Sequence, residues 1–146
     1  MLKSISKFFQ GLCFVALMAQ AVGASTQVIY VSKDPYLVKG EVAYRAGQYK
    51  LAIEYFTKGL KKSLTEEQIV FVQNAVCAAE YALVHYTKAV KHCSIAIDID
   101  SKYWMAYVNR GNAYKALGNE HEAHADYCKA MQLKPKKVRI KVAASC

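Results

Sequence analysis

His121 and His124 stand three residues apart in GNEHEAHADYC (118–128), with Glu120, Glu122, Asp126 and Cys128 around them. On a helix that spacing puts two imidazoles on one face, where they could share a metal ion. A structural or catalytic ion needs at least a third ligand converging from the same side. Glu120 and Asp126 meet that condition poorly. In helical projection Ala123, Tyr127, Ala130 and Met131 face inward, His124 flanks that stripe, and His121, Glu122 and Asp126 point to solvent. The expectation is therefore a packing helix decorated with polar side chains, and no metal. His85 and His92 lie seven residues apart, two helical turns, which is too far to share an ion unaided. The chain shows no phosphate-cradling glycine loop, no dinucleotide fingerprint and no local Ser/His/Asp or Cys/His set. No catalytic residue and no cofactor are expected, and so no enzyme.

The elements that would position these side chains are helices. Apolar residues recur three and four apart from about residue 35 onward: Ala43 and Tyr44, then Leu51, Ala52, Tyr55 and Phe56, then Ile69, Val72 and Val76. Pro35 and Pro135 bracket this region. Asp34 before Pro35 reads as a cap with proline in the first turn. TEEQ (65–68) reads as a capping box, and Ser101 precedes a further apolar run. Gly47 and Gly118 sit between helical patterns, where a tight turn needs permissive backbone. The spacing predicts six helices, over 35–46, 49–62, 66–83, 86–98, 102–117 and 120–133. Strand-like alternation is confined to QVIYV (27–31) and KVRIKV (137–142).

The first 24 residues have the layout of a secretory signal peptide: Lys3 and Lys7, an apolar run from Phe8 to about Val22, then small residues ending at Ala24. Residues 25–34 then form an extended segment, 35–135 the helical domain, and 136–146 a basic tail. An exported protein, periplasmic or secreted, is expected, with no stable membrane span after cleavage. The whole chain carries 20 basic and 11 acidic residues, net +9. Such a balance favours anionic partners, but an exported chain is a poor match for nucleic acid. Four cysteines follow the leader: Cys77, Cys93, Cys128 and Cys146. Two disulfides and buried thiols are both open to them.

Six short helices in pairs invite a repeat test. Aligning residues 45–60, 82–97 and 116–131 superposes Ala52, Ala89 and Ala123, then Phe56, Cys93 and Tyr127, then Gly59, Ala96 and Ala130. The third unit carries Gly111, Tyr114, Gly118, Ala123, Tyr127, Ala130 and Pro135. The first carries Gly40, Gly47, Tyr49, Ala52 and Phe56. In the second, Cys77 and Val84 stand at the two glycine positions and Ser101 at the closing proline. These residues resemble the tetratricopeptide repeat family, a helix–turn–helix repeat of about 34 residues. The resemblance implies an all-α, right-handed helix-turn-helix solenoid of three repeats, at about 33–66, 70–103 and 104–137.

In that family the first helix of each pair lines a concave groove that holds peptides. The resemblance places Leu37, Asn74 and Val108 in one groove row, Glu41, Ala78 and Asn112 in a second, and Tyr44, Tyr81 and Lys115 in a third. Asp34, Phe71 and Met105 form a fourth, with Asn109 close by. Such a groove would hold an unidentified peptide or helix segment of another protein. Some members clamp the C-terminal carboxylate of chaperones with lysine, arginine and asparagine. Here those positions hold Leu37, Glu41, Ala75, Met105 and Asn109, and Glu41 would repel a carboxylate, so a chaperone-tail clamp is not expected. The family frame also sets Cys77 and Cys93 on facing helices of one seam. A Cys77–Cys93 disulfide is one expectation and two buried thiols the other. With that pair made, Cys128 and Cys146 remain to join, folding the tail over the last repeat as a cap. The functional expectation is a non-enzymatic interaction module of the cell envelope or secreted space. The alternative is a structural solenoid that self-associates through its open ends.

Overall fold

The computed structural model describes residues 34–134 and Cys146. The expected signal peptide, the QVIYV segment, Pro135 and the KVRIKV segment lie outside the described residues. Among the described residues six α-helices follow one another: α1 (Pro35–Arg45), α2 (Tyr49–Gly59), α3 (Glu66–Ala82), α4 (Tyr86–Ile99), α5 (Trp104–Ala116) and α6 (Glu120–Leu133). They pack as three consecutive antiparallel pairs, and no strand occurs among the described residues.

Local chemistry starts and stops these helices. The Asp34 carboxylate accepts from the backbone N–H groups of Tyr36 (2.8 Å) and Leu37 (3.1 Å), with Pro35 in the first turn. Thr65 Oγ1 accepts from the Gln68 N–H, and Gln68 Oε1 accepts from the Thr65 N–H, closing the capping box. Ser101 is not a cap. Asp100 turns the chain instead: its carboxylate takes the Lys102 N–H at 2.8 Å and its carbonyl the Tyr103 N–H, so α5 begins at Trp104. Between the first two repeats the connecting turn is longer, residues 60–65 against 100–103 between α4 and α5, and α3 has 17 residues against 13 in α5.

All three hairpin turns have the same backbone bonding. Gln48, His85 and Asn119 donate to the carbonyls of Ala43, Glu80 and Tyr114, while Gly47, Val84 and Gly118 donate to those of Tyr44, Tyr81 and Lys115. This double closure ends a helix through one left-handed residue. Gly47 (φ 72°) and Gly118 (φ 80°) adopt that conformation freely, whereas Val84 (φ 65°) is a β-branched residue forced into it.

The seam inside each pair carries the core. The Phe56 ring of α2 lies on Gly40 of α1, where a Cβ would fall 2.6 Å from it; Tyr127 of α6 lies on Gly111 of α5 in the same way. Phe56 also meets Phe71 edge-on, ring centres 6.4 Å apart, which carries packing from the first pair into α3. In the middle pair the ring and the glycine are both replaced, and Cys77 and Cys93 are joined as a disulfide with Cα atoms 5.3 Å apart. Both cysteines are fully buried. Ala52, Ala89 and Ala123 let each pair close up and are themselves buried.

Val84 stores strain that a glycine would not. A non-glycine residue in the left-handed region costs about 1–3 kcal/mol, and glycine gives back roughly 0.5–1 kcal/mol through the freer unfolded chain. Val84 is 65% exposed, so its side chain contributes little packing. Val84→Gly is therefore expected to raise stability by roughly 1 kcal/mol, read as a higher urea midpoint; an unchanged or lower midpoint contradicts this account of the turn.

Candidate functional site

The first helices α1, α3 and α5 present a shared face whose side chains are set by the seam behind them. Gly40, Cys77 and Gly111 point to the paired helix; the next residue turns to the side of that seam, and the residue four places on lies one helical turn along its edge. Glu41, Tyr44, Tyr81, Asn112 and Lys115 occupy those places.

The structure sorts the residues expected to line a groove by access. Tyr81 (38% exposed) and Met105 (37%) stand out into solvent, as does Lys115. Tyr44, Phe71, Asn74, Val108, Asn109 and Asn112 are partly buried. Leu37 does not line the groove. It is fully buried in the first core cluster, and its side chain fills the space beside Gly59 where that residue has no Cβ. Val108 likewise leans on the core behind α5.

Several groove side chains are held by neighbours. Asn109 Nδ2 donates to Asn74 Oδ1 at 2.9 Å, tying α5 to α3 across the face. Tyr127 Oη donates to Asn112 Oδ1 at 2.9 Å from behind. Each bond uses one half of an amide and leaves the other half as a donor or acceptor of the side chain. Tyr44 and Tyr81 occupy equivalent positions, and each rests against the first ring of the following helix: Tyr44 on Tyr49 at 5.5 Å, Tyr81 on Tyr86 at 5.4 Å. Burial, and then Tyr49, pushes the Tyr44 hydroxyl pKa up.

Glu41 is the acidic group of this face. One carboxylate oxygen is shielded from solvent and has no hydrogen-bond partner among the described residues. Arg45 reaches only to 3.9 Å of the other. Desolvation raises the carboxyl pKa, and Arg45 opposes this with a smaller effect.

Behind the groove lies a polar contact that helical projection missed. Asp126 is not solvated; it is 5% exposed. Its two oxygens accept from Arg110 Nε and Nη2, both at 2.8 Å, while Arg110 Nη1 donates to Ser94 Oγ at 3.0 Å. The guanidinium also faces the Tyr107 and Tyr114 rings at 5.6 and 5.8 Å. Hydrogen bonding to Asp126 holds the arginine pKa above its ordinary value. One side chain thus joins α4, α5 and α6. The signal was in the sequence, as an arginine beside Gly111 and an acid beside Tyr127, but it shows only when the two helices are laid face to face.

The histidines are accounted for separately. His85 Nδ1 lies 2.6 Å from buried Glu80, and His92 Nδ1 lies 2.8 Å from Gln73. His121 is exposed. His124 lies against Cys128, and Cys128 is bonded to Cys146. A crevice of about 430 Å³ is lined by Gly47, Gln48, Tyr49, Lys50, Leu51 and Leu83, and holds no cluster of catalytic groups.

Comparison with known proteins fits this geometry. The family model for the tetratricopeptide repeat matches residues 34–61 and 106–137. The chain belongs to the tetratricopeptide repeat family. Between the two matched segments lie residues 62–105, which hold the second repeat, where cysteine and valine stand at the glycine positions. Among relatives, Heat shock protein STI1 of Saccharomyces cerevisiae is 28% identical over 70% of this chain and 17% of its own length. RNA polymerase II-associated protein 3 of Rattus norvegicus is 31% identical over 66% and 14%. The human mitochondrial import receptor subunit TOM70 is 30% identical over 60% and 15%. The chain spans about a sixth of the length of the curated relatives it matches. Among solved structures, the first tetratricopeptide domain of Spaghetti (RPAP3) bound to the HSP90 peptide SRMEEVD superposes with a TM-score of 0.65. Its identity is 27%, covering 70% of this chain and 79% of that one. These findings correct the expected location. The names of the relatives tie them to RNA polymerase II and to mitochondrial import, not to a periplasm or a secreted space.

Two outcomes test this account of the tetratricopeptide face. Asp126→Ala strands Arg110 and is expected to cost about 3–5 kcal/mol of stability, whereas Glu54→Ala, which breaks an exposed pair with Lys58, leaves the urea midpoint nearly unchanged. For Glu41, a raised carboxyl pKa means that the folded chain binds the proton more tightly than the unfolded one. Its penalty is therefore absent below pH 4.5 and grows as pH rises through the folded value. Glu41→Gln should accordingly exceed the parent in stability at pH 7 and match it below pH 4.5, by urea melts at both.

Proposed function

We propose that the chain is a non-enzymatic protein-binding module whose groove along α1, α3 and α5 takes an extended or helical segment of a partner protein. The observation that carries this reading is the Asn74–Asn109 amide pair bridging α3 and α5 between exposed Tyr81 and Met105. Amides that retain unused donor and acceptor halves suit a peptide backbone, and the aromatic and thioether side chains supply contact area. The peptide-bound RPAP3 domain is a structural precedent for a segment lying on this fold.

The chemistry of the occupant follows from charge. At the positions where a carboxylate clamp would carry cations the chain has Leu37, Glu41, Ala75, Met105 and Asn109. Leu37 is buried and Glu41 is acidic, so an acidic C-terminal tail finds no cation there and one repelling charge. The segment that fits is uncharged or basic over the Glu41 end.

A second reading is self-association. Val38 and Val42 are 45% and 64% exposed on α1, while Ala79 and Ala113, the counterparts of Val42 in the later repeats, are fully buried. The first repeat thus shows an apolar strip that its successors cover, and a second copy could cover it.

The test is peptide binding followed by fluorescence anisotropy, with light scattering on the same samples. SRMEEVD is expected not to bind the parent chain, and the triple variant Glu41→Asn, Met105→Lys, Asn109→Arg should gain binding. Peptides selected from a random display library should lose about tenfold or more in affinity with Tyr81→Ala plus Met105→Ala, roughly 1.4 kcal/mol. Tight binding of SRMEEVD by the parent overturns the charge argument for the occupant, and selected peptides indifferent to Tyr81 and Met105 overturn the groove reading. A concentration-independent monomer overturns the second.

A further inference from the structure

At the far end from the α1 face, the side chains of α6 and Cys146 meet in a cluster that the groove does not use. His124 and Cys128 are four residues apart on α6, one turn of helix. The two ring nitrogens of His124 lie 3.7 and 3.9 Å from Cys128 Sγ. Cys146 is disulfide-bonded to Cys128, and the donor atoms of all three residues lie within 4.8 Å of one another. Two ligands on one zinc ion, bound at about 2.0–2.3 Å with tetrahedral angles, lie roughly 3.5–3.8 Å apart. The His124–Cys128 pair already has that spacing.

We propose that opening the Cys128–Cys146 disulfide creates a zinc site, with His124, Cys128 and Cys146 as its three protein ligands and water in the fourth position. Imidazole and thiolate are the donors zinc prefers, and two thiolates select it over harder cations. The switch is chemically complete with a dithiol reductant. One reductant thiolate attacks a sulfur of the disulfide, a mixed disulfide forms, and the second reductant thiol closes onto it. Two electrons and two protons pass to the protein, and the reductant leaves as its own disulfide. Zinc then displaces one proton from each cysteine thiol, and His124 contributes a neutral ring nitrogen.

The two disulfides among the described residues differ in reach. Cys146 is exposed and Cys128 partly buried, so an attacking thiolate has access to this bond. Cys77 and Cys93 are fully buried in their seam. Mild reduction therefore opens the α6 bond while the structural one stays closed. The seven-residue interval between His85 and His92 offers no comparable set, because each is turned to its own partner on α3.

The experiment uses the full chain, mildly reduced, freed of reductant without air, and titrated with cobalt(II) as a spectroscopic stand-in for zinc. The expected result is a thiolate-to-cobalt charge-transfer band that saturates at one ion per chain and is bleached by zinc. The unreduced chain should show none. His124→Ala and Cys146→Ser should weaken binding by more than the 10- to 100-fold that losing a hydrogen-bond partner of a ligand costs. Zinc should also raise the melting temperature of the reduced parent but not of reduced His124→Ala. Circular dichroism of each variant confirms that its helices remain. Absence of the band in the reduced parent, or a band undiminished in folded His124→Ala or in Cys128→Ser with Cys146→Ser, overturns the proposal.

Discussion

The contact on which the structure depends is the crossing between the two helices of each repeat. Two antiparallel helices can approach closely only where one of them offers almost no side chain. In the outer repeats that place is a glycine under an aromatic ring, Gly40 beneath Phe56 and Gly111 beneath Tyr127. In the middle repeat the same place is a covalent bond between Cys77 and Cys93. Once this crossing is set, the remaining faces of α1, α3 and α5 are left for the groove proposed above. Removing the ring-on-glycine contact from a repeat while keeping the spacing requires another short link, and a disulfide with Cα atoms 5.3 Å apart is one.

Polar contacts then fix how the pairs sit on one another. Arg110 satisfies Asp126 and Ser94 from three helices at once. The Asn74–Asn109 bond does a lighter version of this on the groove side. A groove whose amides and rings are already oriented loses less side-chain freedom when a segment binds. The same arrangement limits what can bind, because amides already paired with protein offer only half of their hydrogen-bonding capacity.

The helices could be read from the sequence because their signals are local. Asp34–Pro35, the TEEQ box and the glycines at 47 and 118 each act within one turn, so the predicted and observed boundaries agree to within about three residues. Leu37, Asp126 and Ser101 were misread for a shared reason: their environment is set by a residue far along the chain or by a competing neighbour. Leu37 is buried because Gly59 leaves a hole for it, and Asp126 because Arg110 reaches it from another helix. Ser101 lost its capping role to Asp100, whose carboxylate takes the next turn first. Location was misread more completely. An apolar leader-like stretch speaks of sorting chemistry, and the kinship of the repeats points to proteins of RNA polymerase II and mitochondrial import.

The buried Cys77–Cys93 bond also changes how the chain answers force. Its cysteines are 16 residues apart, spanning the end of α3, the Val84 turn and the start of α4. When the chain is pulled from its two ends this loop stays short-circuited by the sulfur bridge, as the Cys128–Cys146 bond short-circuits the residues between those two. Roughly 55 Å of contour length, at about 3.3–3.6 Å per residue, is thereby withheld from any unfolding that leaves the disulfide intact. The first and third repeats can peel away independently from either end, and each peeling stops at the same clasped loop in the middle.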